Sequence, residues 1–136
     1  MTPAQGDVYF ELGGVASVRW DDSTSTVVTE WEGWANPAEF SALLEAELHA
    51  LRDHHGTRQL LDCRRQKGLR QADQEKADRE WLPRALAAGL KRFAVVLPIS
   101  GLAASNLQER LGKVPKGRVE VKFFTSIEEA KLWLVH

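Results

Sequence analysis

The chain has 136 residues, of which 43% are hydrophobic and 27% charged, and its formal net charge is −1. This length is typical of one domain with its own core, so we expect a single domain over residues 1–136. The near-neutral charge gives no bulk attraction to nucleic acid, which we therefore do not expect as a partner. A single cysteine excludes an internal disulfide framework and favours a cytoplasmic location.

No apolar run is long enough to span a bilayer, so stable membrane insertion is not expected. Met1 to Asp7 lacks the basic segment and apolar run of a secretory signal. We therefore expect a protein that stays in the cytoplasm.

The N-terminal quarter has the alternation of a β-meander. Val8–Leu12, Val15–Trp20 and Thr26–Trp34 are predicted strands, separated by Gly-rich and Asp-rich turns. Short turns between them favour antiparallel pairing.

A first helix is predicted from Asn36, which can cap it, with Pro37 at the first helical position and Glu39 completing a capping box. Gly56 is the predicted end of this helix. Its apolar stripe consists of Phe40, Leu43, Leu44, Leu48 and Leu51.

Two apolar runs, Leu60–Arg64 and Phe93–Pro98, flank a helical pattern that starts at Asp73 as its cap. Pro83 lies inside that pattern and is expected to kink or restart the helix. This spacing predicts two parallel strands joined by a crossover helix. Six residues are expected to be buried in this core: Leu61, Cys63, Val95, Leu97, Leu44 and Leu48.

A further helix over Ala103–Leu111, a strand over Val119–Phe124 and a C-terminal helix capped by Ser126 complete the pattern. The predicted fold class is α/β, a mixed, mainly parallel sheet with an N-terminal antiparallel β-meander and about four helices.

In the order and spacing of its motifs the chain resembles the SpoIIAA-like or STAS-like superfamily. More narrowly, it resembles small stand-alone bacterial STAS/SEC14-domain proteins. The resemblance covers nearly the whole chain and rests on Val8-Tyr9-Phe10, Glu30-Trp31-Glu32-Gly33, Leu61-Asp62-Cys63-Arg64, Trp81-Leu82-Pro83-Arg84-Ala85, Gly89-Leu90-Lys91-Arg92, Ala94-Val95-Val96-Leu97-Pro98, Ser126-Ile127-Glu128-Glu129-Ala130-Lys131 and Trp133-Leu134.

The resemblance implies a non-enzymatic regulatory or protein-interaction module that binds another protein or a second copy of itself. Anti-sigma-factor antagonists of this superfamily carry a phosphorylated serine where the helix after the central strand begins. The corresponding stretch here is about Leu69 to Asp73, and it contains no hydroxyl. We therefore expect no phosphorylation there. Asp73 either mimics a fixed negative charge or caps the helix.

The candidate binding residues are Asp62, Arg64, Arg65, Asp73 and Ser100. They follow the predicted strands at their carboxyl ends, where open α/β sheets place their ligand crevices. Arg64 and Arg65 begin a basic patch that continues to Lys67 and Arg70 and suits phosphate or carboxylate groups. The alternative is that Asp62 and the arginines form surface ion pairs only.

The second function class left open is binding of a small apolar or anionic, lipid-like ligand. Such a ligand requires an enclosed cavity with a volume on the order of several hundred Å³, as known ligand pockets have. A closed core with a flat surface patch favours an interaction module instead. Three tryptophans of the predicted meander would form an aromatic patch if one sheet face were uncovered.

Other chemistry finds little support in the sequence. Cys63 in an apolar strand is typical of a small core residue, and the histidines lack a metal-ligand spacing. No nucleophile, base and acid set is visible, so we expect neither an enzyme nor a cofactor.

Overall fold

The computed structural model describes residues 7–68, 70–111 and 117–136. The strands are β1 Val8–Leu12, β2 Ala16–Asp21, β3 Thr26–Trp31, β4 Arg58–Asp62, β5 Arg92–Val96 and β6 Glu120–Phe124. The helices are α1 Pro37–His54, α2 Gln71–Lys76, α3 Leu82–Ala88, α4 Gly101–Leu111 and α5 Ile127–Val135, with a π-helical turn, Ala77–Trp81, between α2 and α3. Since α2, the turn and α3 are continuous, the described residues form four helical stretches.

One six-stranded sheet contains the strands in chain order. The pairs β1–β2 and β2–β3 are antiparallel, and every pair from β3 to β6 is parallel. The predicted fold class is therefore confirmed, as is the parallel pairing of β4 with β5. The fourth strand lies two residues earlier than predicted, because the amides of Lys91 and Arg92 both donate to Thr57 O just before it, and a turn begins after Cys63.

The sheet is covered by helices on one face and by α5 on part of the other. The larger core packs the β-meander against α1, the α2–α3 stretch and α4, whereas α5 packs on β4, β5 and β6. Three of the six residues expected in the core, Leu44, Leu61 and Leu97, are only half-buried. Within the described ranges, no helix is long and apolar enough to cross a membrane.

Helix α1 begins as predicted. Asn36 Oδ1 accepts from the Glu39 amide at 2.8 Å and Glu39 Oε1 accepts from the Asn36 amide at 2.9 Å, which completes the capping box. The predicted end at Gly56 is wrong by one position, since His55 is the left-handed residue with φ 50°. Gly56 instead lies against Trp20, whose ring is 3.0 Å from the place a Cβ would occupy.

The second helical stretch begins earlier than predicted. Arg70, not Asp73, is its capping position, and Asp73 is buried in the first turn. Pro83 has no amide hydrogen to continue the α pattern. The turn before it widens, and the amide of Leu82 donates to Ala77 O five residues back. This confirms that the proline interrupts the helix.

The tryptophans of the meander do not form the aromatic patch that was expected if one sheet face were uncovered. Trp20 and Trp31 point into the larger core. The uncovered sheet face beside them carries Glu11, Ser17 and Arg19 in an open groove instead. Trp34, in the loop after β3, is 56% exposed.

Candidate functional site

The candidate site is the edge of the sheet where β3, β4 and β5 end, called here the carboxyl edge. Parallel pairing aligns Glu30, Asp62 and Val96 in one row across these strands. The three loops that follow them therefore start side by side, and the ends of β3 and β5 lie about 10 Å apart.

Asp62 and Arg64 form a closed pair at this edge. Asp62 is buried, with 4% of the residue exposed. It accepts from Arg64 Nε at 3.0 Å, Nη2 at 2.9 Å and the backbone amide at 3.1 Å. The hydrogen bonds that Arg64 donates to the Asp62 carboxylate raise the pKa of Arg64. Arg64 thus supplies the partners that a buried carboxylate requires, which is a structural role.

Arg65 differs from its neighbour. Its side chain is 63% exposed and lies 4.0 Å from Glu30, a loose pair at the limit of an ion-pair contact. An exposed pair of this kind is worth little to stability, about 0–1 kcal/mol. Arg65 is therefore available to a partner.

Asp73 and Ser100 are not joined to Asp62 by hydrogen bonds or ion pairs within the described part of the chain. Asp73 pairs with Arg70, whose Nε lies 3.2 Å from Oδ2. Ser100 is exposed and its Oγ accepts from the Ala103 amide at 3.4 Å as α4 begins. Of the five predicted site residues, the structure brings only Asp62 and Arg64 into contact. Leu69, in the stretch compared with the phosphorylated turn, lies outside the described residues.

Sequence reasoning included Trp34 only in an aromatic patch of the meander that required an uncovered sheet face, and it missed Ile99 and Leu102. Ile99 is 88% exposed, Leu102 75% and Trp34 56%. Trp34 and Ile99 each stand three residues beyond the end of their strands. The sequence carried a signal for Trp34 and Ile99, because both residues lie in short loops after strands and outside any apolar periodicity.

The loop that carries Trp34 is held by backbone contacts. The amides of Glu32 and Gly33 both donate to Val15 O, at 2.9 and 3.2 Å, and Gly33 O accepts from the Lys67 amide at 3.0 Å. A Cβ on Gly33 would lie 2.4 Å from Gly14 O, so only glycine permits this approach. Ala35, on the other side, is buried. Trp34 is therefore presented to solvent on a fixed loop.

A second unusual group is Glu47, which lies on the buried face of α1. It is 3% exposed, and burial raises its pKa to about 7. Thr29 Oγ1 donates to Glu47 Oε2. The nearby Gln59 amide favours the charged carboxylate, although neither of its polar atoms completes a hydrogen bond of normal geometry in the described structure.

Glu47 borders a narrow apolar pocket between the sheet and the helices. The pocket measures about 60 Å³, and its walls include Trp31, Cys63, Trp81 and Leu107. This volume is far below the several hundred Å³ of a lipid-like ligand site.

No group of three or more metal-ligating side chains forms among the residues that the structure describes. Cys63 is buried, and its backbone amide donates to Val96 O at 2.9 Å.

No family model, curated protein or solved structure matches this chain. The STAS-like resemblance therefore stays a prediction from the residues alone.

Proposed function

We propose that this protein is a non-enzymatic, cytoplasmic interaction module that binds a protein partner through its carboxyl edge. The observation that carries the proposal is the exposure of three apolar side chains on the connections that leave this edge: Trp34 in the loop after β3, Ile99 in the loop after β5, and Leu102 in the first turn of α4. Exposed apolar clusters beside polar groups are typical of partner surfaces, and a tryptophan is a frequent source of binding energy there.

The charges of the edge indicate what the partner carries. Arg65 is exposed, and Lys67 and Arg70 continue the basic segment beside it. Asp62 and Asp73 are buried in pairs with Arg64 and Arg70, and the nearby Glu30 is held only by its loose 4.0 Å pair with Arg65. A partner with acidic residues around an apolar anchor complements this surface.

The alternative is a lipid-like ligand binder. The pocket bordered by Glu47 is about 60 Å³, which favours the interaction class over that alternative. Regulation by phosphate at the STAS position has no hydroxyl to act on in the sequence from Leu69 to Asp73, so we propose that partner binding itself is the regulated event.

The experiment is capture of partners from the native host with the wild-type chain and with a Trp34→Ala/Leu102→Ala variant. The matched control is Leu132→Ala, which removes an equally exposed apolar side chain, 58% exposed, from α5. We expect the variant to lose the main captured protein, with affinity reduced about tenfold or more, and the control to retain it. Equal capture by all three chains would contradict the proposal.

A further inference from the structure

The free edge of β6 has the features of a self-association surface. Within the described chain no strand lies beyond β6. The Glu120 amide donates to Lys91 O at 2.8 Å, and Phe124 O accepts from the Leu97 amide at 2.9 Å, so the even-numbered residues face β5. The backbone N–H and C=O groups of Val121 and Phe123 consequently point outward, away from the sheet.

The two edges of the sheet are not equivalent. The register of β1 on β2 shifts between Val8 and Phe10, and such an irregularity hinders pairing with another strand. The β6 register on β5 is regular over its whole length, from Glu120 to Phe124. A second strand can therefore pair with β6 along its whole length.

The side chains of β6 select one partner strand, an antiparallel copy of itself. With a two-fold axis at Val121, Val121 pairs with Val121 of the second copy, and their outward N–H and C=O groups exchange two hydrogen bonds. The same register places Glu120 opposite Lys122 of the second copy, and Lys122 opposite Glu120 of the second copy. Both ion pairs form at once, and opposite charges directly across two strands are favourable.

We propose that this chain forms a symmetric homodimer by antiparallel pairing of β6 with β6, centred on Val121. Space exists for it, since open grooves of about 590 and 430 Å³ border β6 at Lys122 and Trp133. The Glu120 side chain can reach a second copy, because it is 69% exposed and its ion pair with Arg92 is loose, with Arg92 Nε 3.6 Å from Glu120 Oε1. Five-residue pairing buries little area, so dissociation is expected in the micromolar range.

Sedimentation velocity over a range of concentrations tests the proposal with a charge swap. The wild-type chain should dimerise, and Glu120→Lys or Lys122→Glu should be monomeric, because each places like charges opposite each other. The double variant Glu120→Lys/Lys122→Glu should restore the dimer, since the pairs re-form with their signs exchanged. Glu109→Lys, the same change at an exposed position of α4, is the control and should dimerise as the wild type does.

A monomeric wild-type chain at every concentration would overturn the proposal, and so would single variants that dimerise normally. Failure of the double variant to dimerise, while circular dichroism shows the folded state, would also refute the register. These outcomes leave the carboxyl-edge proposal untouched, because that surface is measured by capture of a different protein.

Discussion

A Glu47→Gln substitution tests whether ionisation of the buried Glu47 carboxyl on α1 lowers the stability of the folded state as pH rises. Burial raises its pKa from the ordinary 4.5 to about 7 in the folded protein. A raised carboxyl pKa means that the folded state holds the proton more tightly, so the associated stability is complete below pH 4.5 and is lost as pH rises through 7. Glutamine keeps an oxygen that accepts from Thr29 but does not ionise.

The magnitude follows from the two pKa values. A difference of about 2.5, at about 1.4 kcal/mol for each tenfold step, corresponds to roughly 3 kcal/mol at high pH. We therefore expect the free energy of unfolding of Glu47→Gln to rise relative to the wild type by about 2–3 kcal/mol between about pH 5 and pH 8.5. Urea unfolding followed by tryptophan fluorescence at several pH values measures it.

Glu45→Gln is the matched control, because it makes the same chemical change two residues away on α1. Glu45 is exposed, and the hydrogen bond from Arg84 lowers its pKa. Its contribution is thus already complete above pH 5, and we expect no pH-dependent difference from the wild type there. If Glu47→Gln behaves like this control, the reasoning about burial is wrong.

Two further predictions concern stability at the carboxyl edge. Arg64→Ala removes the two guanidinium hydrogen bonds of the buried Asp62 carboxylate and leaves it only the backbone amide of residue 64, so it should lower the free energy of unfolding by about 2–3 kcal/mol. Arg65→Ala should change it by less than about 1 kcal/mol; equal effects in urea unfolding would show that the two arginines are not distinguished as described. Gly33→Ala places a Cβ against Gly14 O and should cost about 1–3 kcal/mol, which thermal unfolding can check; a neutral result would mean that the Trp34 loop shifts freely.

Local signals in the sequence predicted the fold well. Asn36 and Glu39 formed the expected capping box, and Pro83 interrupted its helix. Such signals work because a cap or a missing amide hydrogen acts within one turn of the chain. The mainly parallel character of the sheet followed from the alternation of β and α patterns after Gly56.

The candidate site was less predictable, because its chemistry depends on burial and on contacts between separate elements. Asp62 was predicted as a binding residue or a member of a surface ion pair, and Asp73 as a binding residue or a helix cap, but both are buried against arginines. Glu47 was overlooked, although it stands four residues from both Leu43 and Leu51 and so lies on the apolar stripe of α1. An acidic residue inside such a stripe is the sequence signal of a buried carboxyl.

The two proposed surfaces are compatible in one assembly. The carboxyl edge lies at the ends of β3, β4 and β5, whereas the proposed dimer interface would run along the side of β6. Because β3 to β6 are parallel and β6 pairs with its copy in the opposite direction, the two carboxyl edges of the dimer face opposite ends of one continuous sheet. A partner on Trp34 of one subunit therefore does not approach the same site on the other. The dimer would present two separate sites, and tethering two partners raises the avidity for a multivalent target without adding any contact.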